Sequence, residues 1–270
     1  MSRPFEGRVA VITGGARGIG RGIALRFARD GAHCVITFRR GADVAAGVVR
    51  ELEREDVKAL AVPLELAEPA QVPAVFERIG ETFGRVDILV ANAAATSFRP
   101  LAEQKEHNVR RTFAITVDSF IAAVKGAVPL MRGRPGRIVI VSGIDSFHAM
   151  PGHGLLGGAK AAAESLVRAF AFELGPEGIT VNGVNPGMIA TDSSRLYIET
   201  GLRRDHAEAM REVAAITPVR RIGTVEDVAE CVAWLASDRA SFLTGQTIVL
   251  DGGLTIVSPL ARLGGAPESR

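Results

Sequence analysis

The stretch Arg8-Val9-Ala10-Val11-Ile12-Thr13-Gly14-Gly15-Ala16-Arg17-Gly18-Ile19-Gly20 decides the fold. A short β-branched run ends in glycines, and Ile19 to Asp30 then shows the helical spacing of Ile23 and Phe27. A glycine pattern that follows a strand and opens a helix is the context of a dinucleotide site. Gly14 permits the tight turn, Gly18 lets the backbone approach a pyrophosphate, and Gly20 allows helix and strand to pack closely. Ala16, Arg17 and Ile19 complete the loop, and free amides at the helix start receive phosphate charge.

Outward from this loop, strands and helices alternate. Cys34 to Phe38, Lys58 to Val62, Ile88 to Val90, Arg137 to Val141, Ile179 to Val184 and Thr247 to Leu250 read as strands. Val44 to Glu55, Pro69 to Phe83, Leu155 to Leu174 and Val225 to Ala236 read as helices, and a long helical region lies between the fourth and fifth strands. This alternation implies right-handed βαβ units. The expected fold is a single-domain α/β Rossmann fold, a doubly wound, mostly seven-stranded parallel sheet with helices on both faces. One domain covers residues 1–257, with a substrate lid at about 187–215 and a C-terminal tail at 258–270.

Composition bounds the function. The chain has 270 residues, 47% hydrophobic, with a formal net charge of +2 and a mean hydropathy of +0.20. That charge balance gives no argument for a nucleic-acid partner. Charged residues interrupt the apolar stretches before ~18 residues, so no membrane span is expected. Met1 to Arg8 lacks an apolar signal core, and the expected location is cytoplasmic. The two cysteines, Cys34 and Cys231, fall in a strand and a helix and read as buried thiols rather than a disulfide or metal site. No metal is expected.

Further motifs occur in order: Asn92-Ala93-Ala94 after the fourth strand, Lys160, Pro186-Gly187-Met188-Ile189-Ala190-Thr191, and Gly245-Gln246 to Asp251-Gly252-Gly253. Together with Thr13 to Gly20 they resemble the short-chain dehydrogenase/reductase family from about residue 5 to residue 255. The resemblance implies that Asn92, Ala93 and Ala94 line the cofactor. It places Pro186, Gly187, Ile189 and Thr191 at the nicotinamide, with Glu65 and Leu66 beside the adenine. It also implies a homotetramer or homodimer paired through the helix that carries Gly157, Gly158, Ala161, Ala162 and Ala163, unless these small residues pack inside the domain.

Charge selects NADPH. An acid at the end of the second strand would bind the ribose hydroxyls of NAD and repel a 2′-phosphate. Here Phe38 is followed by Arg39 and Arg40, with Arg17 across from them in the glycine loop, and guanidinium suits phosphate oxygens.

The catalytic set that the resemblance implies is Asn, Ser, Tyr and Lys. Counting back from Lys160 puts Leu156 at the tyrosine and Gly143, just after Ser142, at the serine. Counting back from Pro129-Leu130-Met131 puts Thr116 at the asparagine. Only Lys160 remains, in the role of holding the nicotinamide ribose. Enoyl-thioester reductases of the family place the tyrosine seven residues before the lysine, and the run from His153 to Lys160 resembles that branch, including the enoyl-CoA reductases of cyclohexenylcarbonyl thioesters. His153 is thus one candidate proton donor. Tyr197, the chain's single tyrosine, is the other, within the lid segment Asp192 to Arg211. Asp145, Ser146 and His148, after the fifth strand, are lesser candidates.

Ketone reduction needs an acid at the forming alkoxide, and its loss costs roughly 10²–10⁴-fold. Conjugate reduction places charge on an enolate oxygen that hydrogen bonds can stabilise, and the α-carbon can be protonated later. The sequence therefore favours an NADPH-dependent enoyl-CoA or enoyl-ACP reductase. A carbonyl reductase with a relocated acid, or a non-catalytic NADPH-binding module, stand as alternatives.

Overall fold

In a computed structural model of the chain, which describes residues 3–95 and 97–258, the order of elements follows the expected alternation. Val9–Ile12 (β1) leads into Gly18–Arg29 (α1), His33–Phe38 (β2), Ala42–Glu53 (α2) and Ala59–Pro63 (β3). Val72–Phe83 (α3) and Ile88–Ala91 (β4) follow, then Glu106–Phe113 (α4), Ser119–Met131 (α5) and Gly136–Val141 (β5). Gly154–Leu174 (α6), Ile179–Pro186 (β6), Asp192–Leu196 (α7), His206–Ile216 (α8), Val225–Ala236 (α9) and Thr247–Leu250 (β7) complete the domain. The seven strands form one sheet in the order β3-β2-β1-β4-β5-β6-β7, and every pairing is parallel.

Parallel strands are covered on both faces, so their residues are apolar on both sides instead of alternating with polar ones. Val9 and Val11 of β1 face Val75, Ile79, Phe120 and Val124 on one side. Ala10 and Ile12 face Ile23, Phe27 and Val232 on the other. The order reverses between β1 and β4, and ligands of doubly wound sheets bind in the crevice at such a reversal. The glycine loop after β1 and Asn92 after β4 stand on its two sides.

Several expectations need correction. Pro69–Gln71 is a 3-10 turn, and the helix begins only at Val72. The long helical region is two helices joined by a π turn at Ala114–Asp118. The run Glu106–Met131 is, by length and composition, apolar enough to cross a membrane. Yet Phe120, Ala123, Val124, Ala127 and Met131 pack into the core of the sheet. Cys34 is fully buried, whereas Cys231 is half-buried. Of the small residues of α6, Gly157 and Ala163 are buried and Gly158 and Ala161 are exposed. The lid segment divides into α7, a π turn at Tyr197–Gly201, and α8. Residues 259–270 of the expected tail lie outside the described residues.

Candidate active site

The cofactor end is built on backbone clearance. Gly14 and Gly18 adopt φ of +65° and +51°. A Cβ on Gly20 would lie 2.5 Å from the Gly14 carbonyl oxygen and 2.6 Å from Asn92 Nδ2. Asn92 serves this loop directly: its Nδ2 donates to the Thr13 carbonyl at 3.0 Å, while the Thr13 hydroxyl accepts from the amides of Asn92 and Ala93. The N-terminus of α1 has no side-chain cap and no acid in its first turn, so its amides and partial positive charge suit a phosphate.

Arg17, Arg39 and Arg40 are exposed around this loop. Glu65 lies near two guanidinium groups, 3.9 Å from Arg39 and 3.7 Å from Arg111, and Leu66 is buried beside it in the chain. At the end of β6, the Gly187 amide donates to Leu250 at 3.0 Å. Ile189 is buried and bridges to Gly223. Thr191 caps α7 through a reciprocal box with Ser194. The open amides, the glycine clearance and three exposed cations fit a phosphorylated dinucleotide. Arg111 was not among the expected residues, because a single cation on a helix carries no sequence signal of its own.

The chemical end is organised around Asp145. Lys160 Nζ donates to Asp145 Oδ1 at 2.9 Å, and His153 Nδ1 meets Asp145 Oδ2 at 3.1 Å. Burial alone would push the Asp145 carboxyl up, but the His153 hydrogen bond and the Lys160 ammonium hold it below the usual carboxylate value. The His153 ring is stacked on Phe98, with centroids 5.2 Å apart, and lies edge-on to Tyr197 at 4.2 Å. The Tyr197 hydroxyl donates to the Pro151 carbonyl at 3.0 Å. Burial, with a smaller effect from Asp145, raises the Tyr197 pKa. Lys160, His153 and Tyr197 are therefore brought into one cluster.

Three positions that the resemblance associates with catalysis are filled differently. Leu156 is a buried side chain one turn before Lys160, and Thr116 is buried within the π turn with its hydroxyl unpartnered among the described residues. A Cβ on Gly143 would lie 2.5 Å from Lys160 Nζ and 2.7 Å from Asp145 Oδ1. The neighbouring Ser142 hydroxyl is committed to Glu164 at 2.6 Å. Asn185 fixes the turn after β5 by accepting from the Gly143 amide at 3.0 Å and donating to Ser146 at 3.3 Å. His148 is exposed, its ring against Phe147.

His153 is the N-cap of α6 and not part of it. It reaches the lysine through Asp145, not along a shared helical face. The signal that could have promoted Asp145 lies in two glycines. Gly143 leaves room for its carboxylate, and at Gly157 a Cβ would lie 2.1 Å from its carbonyl oxygen.

A family described as Enoyl-(Acyl carrier protein) reductase matches residues 14–255. The 1-cyclohexenylcarbonyl-CoA reductase of Streptomyces collinus is 39% identical over 252 residues, covering 93% of this chain and 88% of that protein. A tetrahydroxynaphthalene reductase of Pestalotiopsis fici is 34% identical, covering 93% and 92%. Among solved structures, a blue fluorescent protein from a metagenomic library in complex with NADPH superposes with a TM-score of 0.84 at 33% identity, covering 93% of this chain and 99% of that one. A short-chain dehydrogenase from Burkholderia cenocepacia in complex with NADP gives 0.83 at 32% identity, with the same coverage. The chain belongs to the short-chain dehydrogenase/reductase family and is a nicotinamide-dependent oxidoreductase.

Proposed function

We propose that the protein reduces the C=C bond of an α,β-unsaturated acyl thioester, presented as enoyl-CoA or enoyl-ACP, with NADPH as the reductant. The carrying observation is that Leu156 occupies the position one turn before Lys160 while Lys160 itself is paired with Asp145. A ketone substrate would need a hydroxyl donor at that position, whereas a thioester enolate needs stabilising hydrogen bonds and a later proton. The similarity to the Streptomyces collinus reductase supports the same reading. Bound NADPH supplies hydride to the β-carbon.

The residues of the chain divide the remaining work. Gly14, Ala16, Gly18 and Ile19 form the loop for the pyrophosphate. Arg17, Arg39 and Arg40 hold the 2′-phosphate, and Glu65 and Leu66 border the adenine. Asn92, Ala93 and Ala94 form the opposite wall, with Pro186, Gly187, Ile189 and Thr191 around the carboxamide. Lys160 orients the ribose, and His153 and Tyr197 face the acyl group as its candidate donors. Phe98, Met150, Met188 and Met210 pack against the cluster of Tyr197, Ile198 and Ala209, an apolar and adaptable environment for an acyl chain.

The 34% identity to a tetrahydroxynaphthalene reductase and the His153–Tyr197 contact favour one second reading, carbonyl reduction with a relocated acid. NADPH oxidation measured with enoyl-CoAs, enoyl-ACPs and ketones separates the two. Turnover of the thioesters alone is the expected result, turnover of ketones alone would install the second reading, and no turnover of either would leave a cofactor-binding module.

A further inference from the structure

We propose that Asp145 is a positioning residue that fixes the His153 ring for proton delivery to the α-carbon, a role that rests on the thioester reduction proposed above. The depressed Asp145 carboxyl is ionised near neutral pH, so both of its oxygens are acceptors. Oδ1 takes the Lys160 ammonium and Oδ2 faces His153 Nδ1, which must therefore be the protonated donor nitrogen. That assignment leaves Nε2 as the nitrogen that exchanges a proton. Nε2 is buried and has no partner among the described residues, although a buried polar atom ordinarily finds one. The ring is stacked on Phe98 and edge-on to Tyr197, and a substrate atom would supply the partner that Nε2 lacks.

The surrounding sequence is arranged for this carboxylate. The glycine at 143 and the glycine at 157 are the two positions where any side chain would collide with Asp145 or its backbone. When bound, the nicotinamide cofactor would supply hydride to the β-carbon, leaving the substrate as an enolate whose charge rests on the thioester oxygen. His153 Nε2–H then passes its proton to the α-carbon as the enolate pair forms that bond. The ring is left neutral and regains a proton from water once the product has left, so one NADPH and one proton are consumed per C=C bond reduced. The titratable groups facing the ring are Asp145 from the turn after β5, Lys160 of α6 acting through it, and Tyr197 of the lid.

The test is nitrogen-edited NMR of the histidine rings in the full chain without cofactor, with His153 assigned by the signal lost in His153→Gln. A hydrogen-bonded Nδ1 proton is expected in the wild type, whether or not Nε2 also carries one. Loss of that proton signal is expected in Asp145→Asn, and a shift of it in Gly143→Ala, whose Cβ crowds Lys160 Nζ and Asp145 Oδ1. With the thioester that the enzyme turns over, Asp145→Asn should lower kcat, by no more than the roughly 10²–10⁴-fold that a positioned general acid contributes, and leave KM little changed. It should add nothing to the loss in His153→Gln. A wild-type ring protonated on Nε2 alone, or an Nδ1 signal unchanged in both variants, overturns the role. Absence of thioester turnover by the wild type overturns the reaction instead, and the NMR result then decides the positioning of His153 by itself.

Discussion

At the scale of single residues, Gly20 and Asp145 show two ways in which a site depends on clearance and charge. A methyl group at Gly20 meets the Gly14 carbonyl and Asn92 Nδ2 at once, and neither is the movable end of a long side chain. Gly20→Ala should therefore weaken NADPH binding more than tenfold while leaving a folded chain, checked by cofactor fluorescence and circular dichroism. Charge reversal at Arg39 and Arg40 should weaken NADPH but not NADH, as expected where guanidinium meets a phosphate. Equal effects on both cofactors would remove these residues from the 2′-phosphate site. Because the Asp145 carboxyl is held below its usual value, its stabilising effect is present above the unfolded value and is lost as pH falls through the folded one. The melting temperatures of wild type and Asp145→Asn should accordingly differ at neutral pH and converge below about pH 4, near the ordinary Asp value. A gap that stays constant with pH would contradict the ionic role. The glycine loop was legible in the sequence because its signal is local, a fixed spacing after a strand, whereas Lys160 was singled out only by the resemblance to the family. Asp145 was only faintly legible, since its partners lie 8 and 15 residues away and meet it through a turn held by Asn185.

At the scale of elements, helix α9 was readable from Val225 to Ala236 because its start is written locally, as Thr224 and Asp227 cap each other reciprocally. The lid was not readable in the same way. Its π turn at Tyr197–Gly201 places Gly201 against the Tyr197 ring and Phe98, and such insertions arise from packing instead of propensity. Tyr197→Phe removes a hydrogen bond to Pro151 and should cost about 0.5–1.5 kcal/mol, read as a lowered melting temperature. Near-wild-type turnover in that variant would leave His153 as the donor, and near-complete loss would favour Tyr197. The contact between α1 and α9 is closer. A Cβ on Gly22 would lie 2.1 Å from Val225 Cγ1, so Gly22→Ala should destabilise by about 1–3 kcal/mol through overpacking. Adding Val225→Ala should recover part of that loss, and purely additive effects would show that the two helices do not share this constraint.

At the scale of the whole molecule, the sheet joins both sides of the crevice to one core, and Cys34 offers a probe of how far that core opens. It sits in β2, paired on one side to β1 and on the other to β3. It is fully buried, and burial pushes its thiol up to about 12. A thiol needs its thiolate to react, so labelling of Cys34 in the native state requires β2 to leave the sheet. Cys231, half-buried on α9, should react first and without that opening. Since the glycine loop follows β1 and the arginines follow β2, separating these strands would dismantle the proposed phosphate site together with the core. NADPH should therefore slow Cys34 labelling by the factor 1 + [NADPH]/Kd, the linkage expected of a ligand that binds only the closed form, and should leave Cys231 much less affected. Mass spectrometry after timed alkylation separates the two thiols. If Cys34 instead reacts at a rate independent of NADPH, strand β2 opens without disturbing the cofactor site, and the sheet and the site are not one cooperative unit.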